Sequence, residues 1–340
     1  MIMDLYMSGY GAVARAFVEL LHTKTAKIES NYHFKPVLKG IFVKQGLVFC
    51  PDGFDYAELL ALGQGSMAVL AYAKKYNLAV SQQFQLKGGV LIEATSTSPN
   101  SGEPGYRYMK AALQQGLDIV AVSKGALVHH FDEIMALSKQ LGRRIKFSGA
   151  TAAALPALDT GMYSLAGSTI KRFEGVLNGT TSYILDEMHK HDLTVEQALK
   201  KAQEAGIAEK DPTLDIGGYD SANKVLLLAN QFFQARASIS DVSIEGIATV
   251  SLPDVHHAKQ ENQKIVLLAS ASDENGQISM SVKPTKIAYS HPLAHLAPKE
   301  KGICFFTEEM GRIAVTGGAS SPLGAASAAL KDVIHLSDTH

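Results

Sequence analysis

The order of apolar and polar positions predicts two kinds of structure along this chain. Leu5 to Ser8 is a short apolar run that meets Gly9-Tyr10-Gly11, after which Val13, Ala14, Phe17, Leu20 and Leu21 recur at helical spacing. Pro36–Val43, Gly89–Thr95, Leu117–Val122 and Arg144–Phe147 read as strands. Helical patterns over Tyr106–Gln115 and Phe131–Leu141 stop at Gly116 and Gly142. Continuous apolar strands separated by helices predict a parallel sheet covered on both faces. The pattern changes after about Gly149, with a small-residue stretch from Ala150 to Leu158. Helices are expected over about Ser182–Met188, from a capping box at Thr194-Val-Glu-Gln197 to Gly206, and over about Tyr219–Phe233. Residues 242–290 read as strand-rich, and Asp273-Glu-Asn-Gly276 within them signals a hairpin. The Gly-, Ala- and Ser-rich stretch from Gly317 to Leu330 is expected to return to the first domain as a helix.

Gly9-Tyr10-Gly11-Ala12-Val13-Ala14 fits G-x-G-x-x-A between a strand and an amphipathic helix. The first glycine permits the turn, the second lets backbone approach a pyrophosphate, and small Ala14 lets helix and strand pack closely. The helix N-terminus adds N–H groups and a positive dipole end for the phosphates. The expected fold is therefore α/β: a Rossmann-type doubly wound parallel sheet over residues 1–148 and 318–340. Residues 149–317 form a second α/β substrate and dimerisation domain with an open mixed sheet. An acid at the end of the second strand would bind the ribose 2′-hydroxyl of NAD. Here that strand runs into Lys44-Gln45-Gly46, and a lysine suits the 2′-phosphate of NADP; a solvated surface lysine is the alternative. Thr95 and Lys124 follow predicted parallel strands at the edge where open α/β sheets receive ligands.

Residues 208–224 are the most informative stretch. Glu209, Asp211, Asp215 and Asp220 lie in a Gly- and Pro-containing loop that leads into a helix carrying Lys224. Spacing alone favours a solvent-exposed i,i+4 pair between Asp220 and Lys224, contributing roughly 0.2–0.5 kcal/mol. Leu227 and Leu228, however, flank the side that carries the pair, so the helix is apolar nearly all round and should be buried. A buried Asp–Lys pair is a poor source of stability and points instead to a site facing a cavity. Several acids upstream suit a ligand with an ammonium group.

Composition narrows the partners. A formal net charge of -1 leaves no basic field for nucleic acid or an anionic membrane. No apolar run reaches the ~18 residues of a spanning helix, and the opening residues show no signal-peptide pattern. A soluble cytoplasmic protein is the expectation. Cys50 and Cys304 have neither metal-site nor disulfide-framework spacing.

With these residues in hand, the chain resembles homoserine dehydrogenase along nearly its whole length. The matching segments are GYGAVA, EATSTSPNSGEPG (93–105), VSKGAL (122–127), GVLNGTTSYIL (175–185), residues 202–230 and residues 317–332. The resemblance implies NAD(P)-dependent, reversible oxidation of L-homoserine to L-aspartate 4-semialdehyde by a homodimer. The reducing direction would serve threonine and methionine biosynthesis. By the same resemblance Lys224 is the catalytic lysine, and Glu209, Asp215, Asp220, Lys124, Gly179 and Thr180 bind substrate. Gly9, Tyr10, Gly11, Ala12, Val13, Lys44, Thr95 and Lys124 would hold the cofactor, NADP(H) before NAD(H). Ser148, Thr151, Ala153 and Leu155 match a stretch whose backbone carbonyls bind sodium in some members. Ser148 stands where many members have Glu, Leu155 follows Ala154 where glycine is usual, and Ile207 stands where members often have Tyr. The chain stops at His340, short of the ACT-type domain that many members append. Two other readings stay open: a dehydrogenase of the same fold for another hydroxy amino acid, and a non-enzymatic NADP(H)-binding sensor.

Overall fold

A computed structural model describes the chain apart from residues 83, 84, 97, 99, 319 and 338–340. Thr97, Pro99 and Ala319, which belong to motif segments named above, thus lie outside the described residues. The chain divides into two compact units, residues 1–153 with 321 onward, and residues 154–320.

The first unit holds seven strands: β1 (Ile2–Ser8), β2 (Lys35–Val43), β3 (Gly46–Phe49), β4 (Val80–Ser81), β5 (Val90–Glu93), β6 (Asp118–Ala121) and β7 (Ile145–Lys146). They lie in the order β4-β3-β2-β1-β5-β6-β7. The five strands from β2 to β7 in that order are parallel; β3 and β4 add an antiparallel edge. The chain leaves β1 toward β2 on one side and comes back to β5 on the other, so the strand order reverses beside β1 and opens a ligand crevice at the carboxyl ends. The helices are α1 (Ala12–Tyr32), α2 (Tyr56–Ala61), α3 (Ser66–Lys75), α4 (Gly105–Gln114) and α5 (Gly125–Gln140). α1 packs because its apolar stripe, including Ala14, Phe17, Val18 and Leu21, is fully buried in one core with Leu5 and Met7 of β1.

Two elements differ from expectation. The helix expected from Phe131 begins at Gly125 and breaks its regular dihedrals at His130 (φ -135°, ψ 30°), so the apolar period restarts just after the kink. The sheet expected to be parallel carries an antiparallel hairpin toward one edge: Val43 pairs with Gly46, leaving Lys44 and Gln45 as the turn.

In the second unit a single turn, α6 (Ala157–Asp159), precedes β8 (Ile170–Val176), α7 (Gly179–His191), α8 (Val195–Glu204), α9 (Thr213–Ile216) and α10 (Tyr219–Phe233). β9 (Ser243–Ile244), α11 (Leu252–Gln260), β10 (Gln263–Glu274), β11 (Gln277–Ala288), β12 (Lys301–Thr307) and β13 (Gly311–Gly317) follow. The mixed sheet has the order β13-β12-β8-β10-β11-β9. The chain then rejoins the first unit as α12 (Pro322–Ser337), whose Ala326, Ala329, Leu330 and Val333 share the core with α1.

The expected capping box forms: Thr194 N–H donates to Gln197 Oε1 (2.9 Å) and Gln197 N–H to Thr194 Oγ1 (3.3 Å). So does the hairpin, where Asn275 and Gly276 both take positive φ (57° and 87°), the geometry of a type I′ turn. The strand-rich region instead runs on to Gly317, through β12 and β13. Within the expected strand at 243–251 only Ser243 and Ile244 pair. Gly246 there packs against the Ile216 carbonyl, where a Cβ would lie 2.3 Å from the oxygen, and the chain passes into a 3-10 turn at Ile247–Thr249.

Candidate functional site

The dinucleotide-binding half is built from backbone. Gly9 closes β1 at φ 85°, and a Cβ there would meet the Ala94 oxygen at 2.9 Å and Thr95 Cα at 3.2 Å. Only glycine lets the turn after β1 touch the turn after β5. At Gly11, by contrast, a Cβ would meet nothing within 4 Å, and no side chain caps α1. Gly11 and Ala12 are exposed and Val13 is half-buried, so the first N–H groups of α1 face open space of the kind a pyrophosphate fills. The Tyr10 side chain lies in the core, where burial pushes its phenol up to about 12. The Tyr10 carbonyl accepts the Gly65 N–H at 2.6 Å. Thr95 Oγ1 and N–H both donate to Glu93, and Lys124 is the residue before α5, half-buried. Lys44 is exposed at the tip of the β2–β3 turn. These residues fit a dinucleotide.

The second unit gathers the polar side chains. α10 is buried on nearly every side, with Val225 to Ala229 at 0 % exposure. Lys224, on that helix, donates to the Leu177 carbonyl (2.7 Å) and to Asp220 Oδ2 (2.5 Å). Asn178 Nδ2 donates to the same Asp220 oxygen and to Asp215 Oδ1, each at 2.8 Å. The local sequence explains the convergence. Gly218, at φ 84°, donates its N–H to the Asp215 carbonyl and precedes α10, so Gly217-Gly218 folds the chain back and brings Asp215 and Asp220 to one amide. Asn178 is meanwhile the N-cap of α7, its Oδ1 accepting the Thr181 N–H at 2.9 Å.

Not every expected residue joins this cluster. Glu209 is exposed, and its backbone carbonyl accepts from Gln203 Nε2 at 3.1 Å. Thr180 Oγ1 donates weakly to the Ile207 carbonyl (3.4 Å), and Gly179 packs close to Ser320 and the Lys299 backbone. Of the four carbonyls expected around sodium, those of Ser148 and Leu155 accept hydrogen bonds within the chain. The Ser148 carbonyl accepts Ala153 N–H (3.0 Å) and Thr151 Oγ1 (3.1 Å), and the Leu155 carbonyl accepts Ala157 N–H (2.8 Å). The Ser148 side chain is held by Asp332 (2.9 Å) and by the Lys331 ammonium (2.8 Å), itself a cation. This arrangement gives sodium no support. Asn178 and Glu93 are the polar residues not singled out above. Asn178 sits in the quoted segment GVLNGTT just before a helix, the position of an N-cap, and Glu93 is an acid closing an otherwise apolar strand.

A doubly wound sheet with a glycine turn at its switch point, joined to a second unit in which a buried lysine meets half-buried acids, is the architecture of a Rossmann-type oxidoreductase. Comparison with known proteins narrows the class. The family model for homoserine dehydrogenase matches residues 156–334. An NAD(+)-dependent homoserine dehydrogenase of Pseudomonas canavaninivorans is 32% identical over 336 residues, covering 98% of this chain and 95% of that one. A homoserine dehydrogenase of Sulfurisphaera tokodaii is 33% identical, covering 98% of both. A crystal structure from Archaeoglobus fulgidus, provisionally named homoserine dehydrogenase, superposes with a TM-score of 0.83 at 27% identity, covering 98% of this chain and 99% of that one. The chain belongs to the homoserine dehydrogenase family.

Proposed function

We propose that this protein oxidises L-homoserine to L-aspartate 4-semialdehyde, reversibly, with Lys224 as the catalytic residue. The observation that carries this reading is the cluster in which buried Lys224 and Asn178 share hydrogen bonds with the half-buried Asp220 and Asp215. A lysine and carboxylate withdrawn from water stabilise a fold poorly. They are suited to holding a proton at a fixed point.

A bound nicotinamide would supply the hydride in reduction and take it up in oxidation. The chain supplies the rest. In reduction, protonated Lys224 gives its proton to the aldehyde oxygen, and in oxidation it takes the hydroxyl proton back. Asp220 and the Leu177 carbonyl hold the ammonium in place. Asp215 receives the substrate's ammonium, aided by Glu209 from the exposed loop, and Gly179 and Thr180 line the same turn. In the first unit Gly9 to Val13 cradle the pyrophosphate, while Thr95 and Lys124 serve the nicotinamide end. Lys44 favours NADP(H) by pairing with its 2′-phosphate. The relative from Pseudomonas canavaninivorans is named for NAD(+), so this preference rests on Lys44 alone. The homodimer expected from the family would cover the edges that the open second sheet leaves.

The test is absorbance at the reduced-nicotinamide band with L-homoserine, run in parallel with NADP⁺ and NAD⁺. Reduction is expected, faster with NADP⁺. Silence with both, together with silence toward aspartate 4-semialdehyde in reverse, would remove homoserine as substrate. Ile207 then directs the search to other hydroxy amino acids.

A further inference from the structure

One side chain joins the carboxyl ends of β5 and β6. Glu93, the last residue of β5, has 0 % exposure. Its Oε1 accepts the Thr95 N–H at 2.9 Å and also the Thr95 hydroxyl, and its Oε2 accepts the Ser123 hydroxyl. Its backbone carbonyl accepts Val122 N–H at 2.8 Å. Every one of these donors is a neutral group. The preceding residues of the strand, Val90, Leu91 and Ile92, are what a buried parallel strand ordinarily contains. A carboxyl in this place is expensive to bury, and hydroxyl donors recover only part of the loss of water. Burial accordingly pushes the Glu93 carboxyl above the usual range, against the pull of its three hydrogen bonds.

What the carboxyl gains is control of two turns. The first begins at Thr95 and touches Gly9, because the Ala94 oxygen and Thr95 Cα crowd the position where a Gly9 Cβ would be. The second carries Ser123 and Lys124 into α5. The first leaves the sheet next to β1, whose Ser8 pairs with Glu93, at the point where the strand order reverses, and the second leaves it one strand further on. That is where an open α/β sheet takes its ligand.

We propose that Glu93 is a positioning residue for the cofactor: by holding Thr95 and Ser123 it fixes the two turns that receive the nicotinamide end and sets Lys124 beside them. The proposal rests on the nicotinamide-dependent reading above, and the experiment keeps the two separable. Binding of NADPH and of NADH is followed by their fluorescence, and homoserine turnover by absorbance, for the native protein, Glu93→Gln, Glu93→Ala and Ser123→Ala. Glu93→Ala should weaken cofactor binding and raise the cofactor KM by about tenfold or more, with a smaller change in kcat. Glu93→Gln should stay within about threefold, since its amide oxygen still accepts from Thr95 and its NH2 can donate to the Ser123 oxygen. Ser123→Ala, which loses one bond, should cost about fivefold.

A merely structural Glu93 would lower the melting temperature of Glu93→Ala and leave Kd and KM of the folded protein unchanged, which overturns the proposal. So does Glu93→Gln binding as weakly as Glu93→Ala. Should Glu93→Ala not fold, Ser123→Ala decides, and an unaltered Kd there is equally fatal. If the native protein binds reduced cofactor but leaves homoserine untouched, the substrate assignment falls and the Kd series still judges Glu93.

Discussion

Two acids withdrawn from solvent, Glu93 fully and Asp220 in part, show how differently the two units treat charge. Glu93 in the first unit is surrounded by neutral donors, two hydroxyls and an N–H. Asp220 in the second is met by the Lys224 ammonium and by the Asn178 amide, which it shares with Asp215. The first arrangement holds backbone in shape around an open space, the site in front of Gly11. The second holds charge in place. A dinucleotide brings its own phosphates and needs a rigid cradle of N–H groups. A small amino acid undergoing proton and hydride transfer needs charged side chains at fixed points. The division of labour follows from what each ligand lacks.

The largest effect should come from the charged cluster. Lys224→Ala is expected to lower kcat in both directions by about 10³–10⁴, with cofactor binding by fluorescence unchanged. Activity retained within a few-fold would move the proton transfer elsewhere and leave the pair as a structural one. Next, Asn178→Ala should reduce kcat/KM for homoserine by about 10- to 100-fold, because two carboxylates lose their common donor. It should also cost about 1 kcal/mol of stability through the lost α7 cap. A stability loss without the kinetic one would show that Asn178 serves only the helix.

Much of this division is legible in the residues alone. The glycine turn is legible because each glycine has a distinct steric duty at a fixed spacing, and the burial of Lys224 because Leu227 and Leu228 leave α10 no polar face. Asn178 as a hub is not legible. Its contacts to Asp215 and Asp220 depend on where the Gly217-Gly218 turn sends the chain, a long-range consequence that no local period encodes. Glu93 is hidden for a related reason: an acid closing an apolar strand reads as the start of a loop, and its burial depends on neighbours β1 and β6. The strands β12 and β13 lie past the segment expected to be strand-rich, although Ile303 to Phe306 carries a strong apolar and aromatic signal. At the other end, Ser243 to Ser251 has strand composition but only two paired residues, because Gly246 packs against the Ile216 carbonyl and Ile247–Thr249 forms a 3-10 turn instead.

The cradle can be tested against the fold with two glycines from one motif. Gly9→Ala forces a side chain into φ 85° and onto the Ala94 oxygen, so it should destabilise the protein, by about 1–2 kcal/mol from the backbone alone. Gly11→Leu places its side chain in open space and should leave the melting temperature nearly unchanged while weakening cofactor binding about tenfold, some 1.4 kcal/mol. Equal effects of both substitutions on stability, with no loss of binding for Gly11→Leu, would mean that the space before α1 is not where the phosphates lie.

The smallest effect concerns Lys44, the one charged side chain assigned to the 2′-phosphate. Its position at the tip of a two-residue turn is exposed, so water competes for it and salt screens it. An exposed ion pair of this kind contributes at most about 1 kcal/mol, which is about fivefold in affinity. Lys44→Ala should therefore raise KM for NADP⁺ by about that factor, leave KM for NAD⁺ alone, and lose its effect as ionic strength rises. An equal change for both cofactors would take Lys44 away from the 2′-phosphate and leave the phosphate cradle wholly backbone, sharpening the contrast with the charged cluster of the second unit.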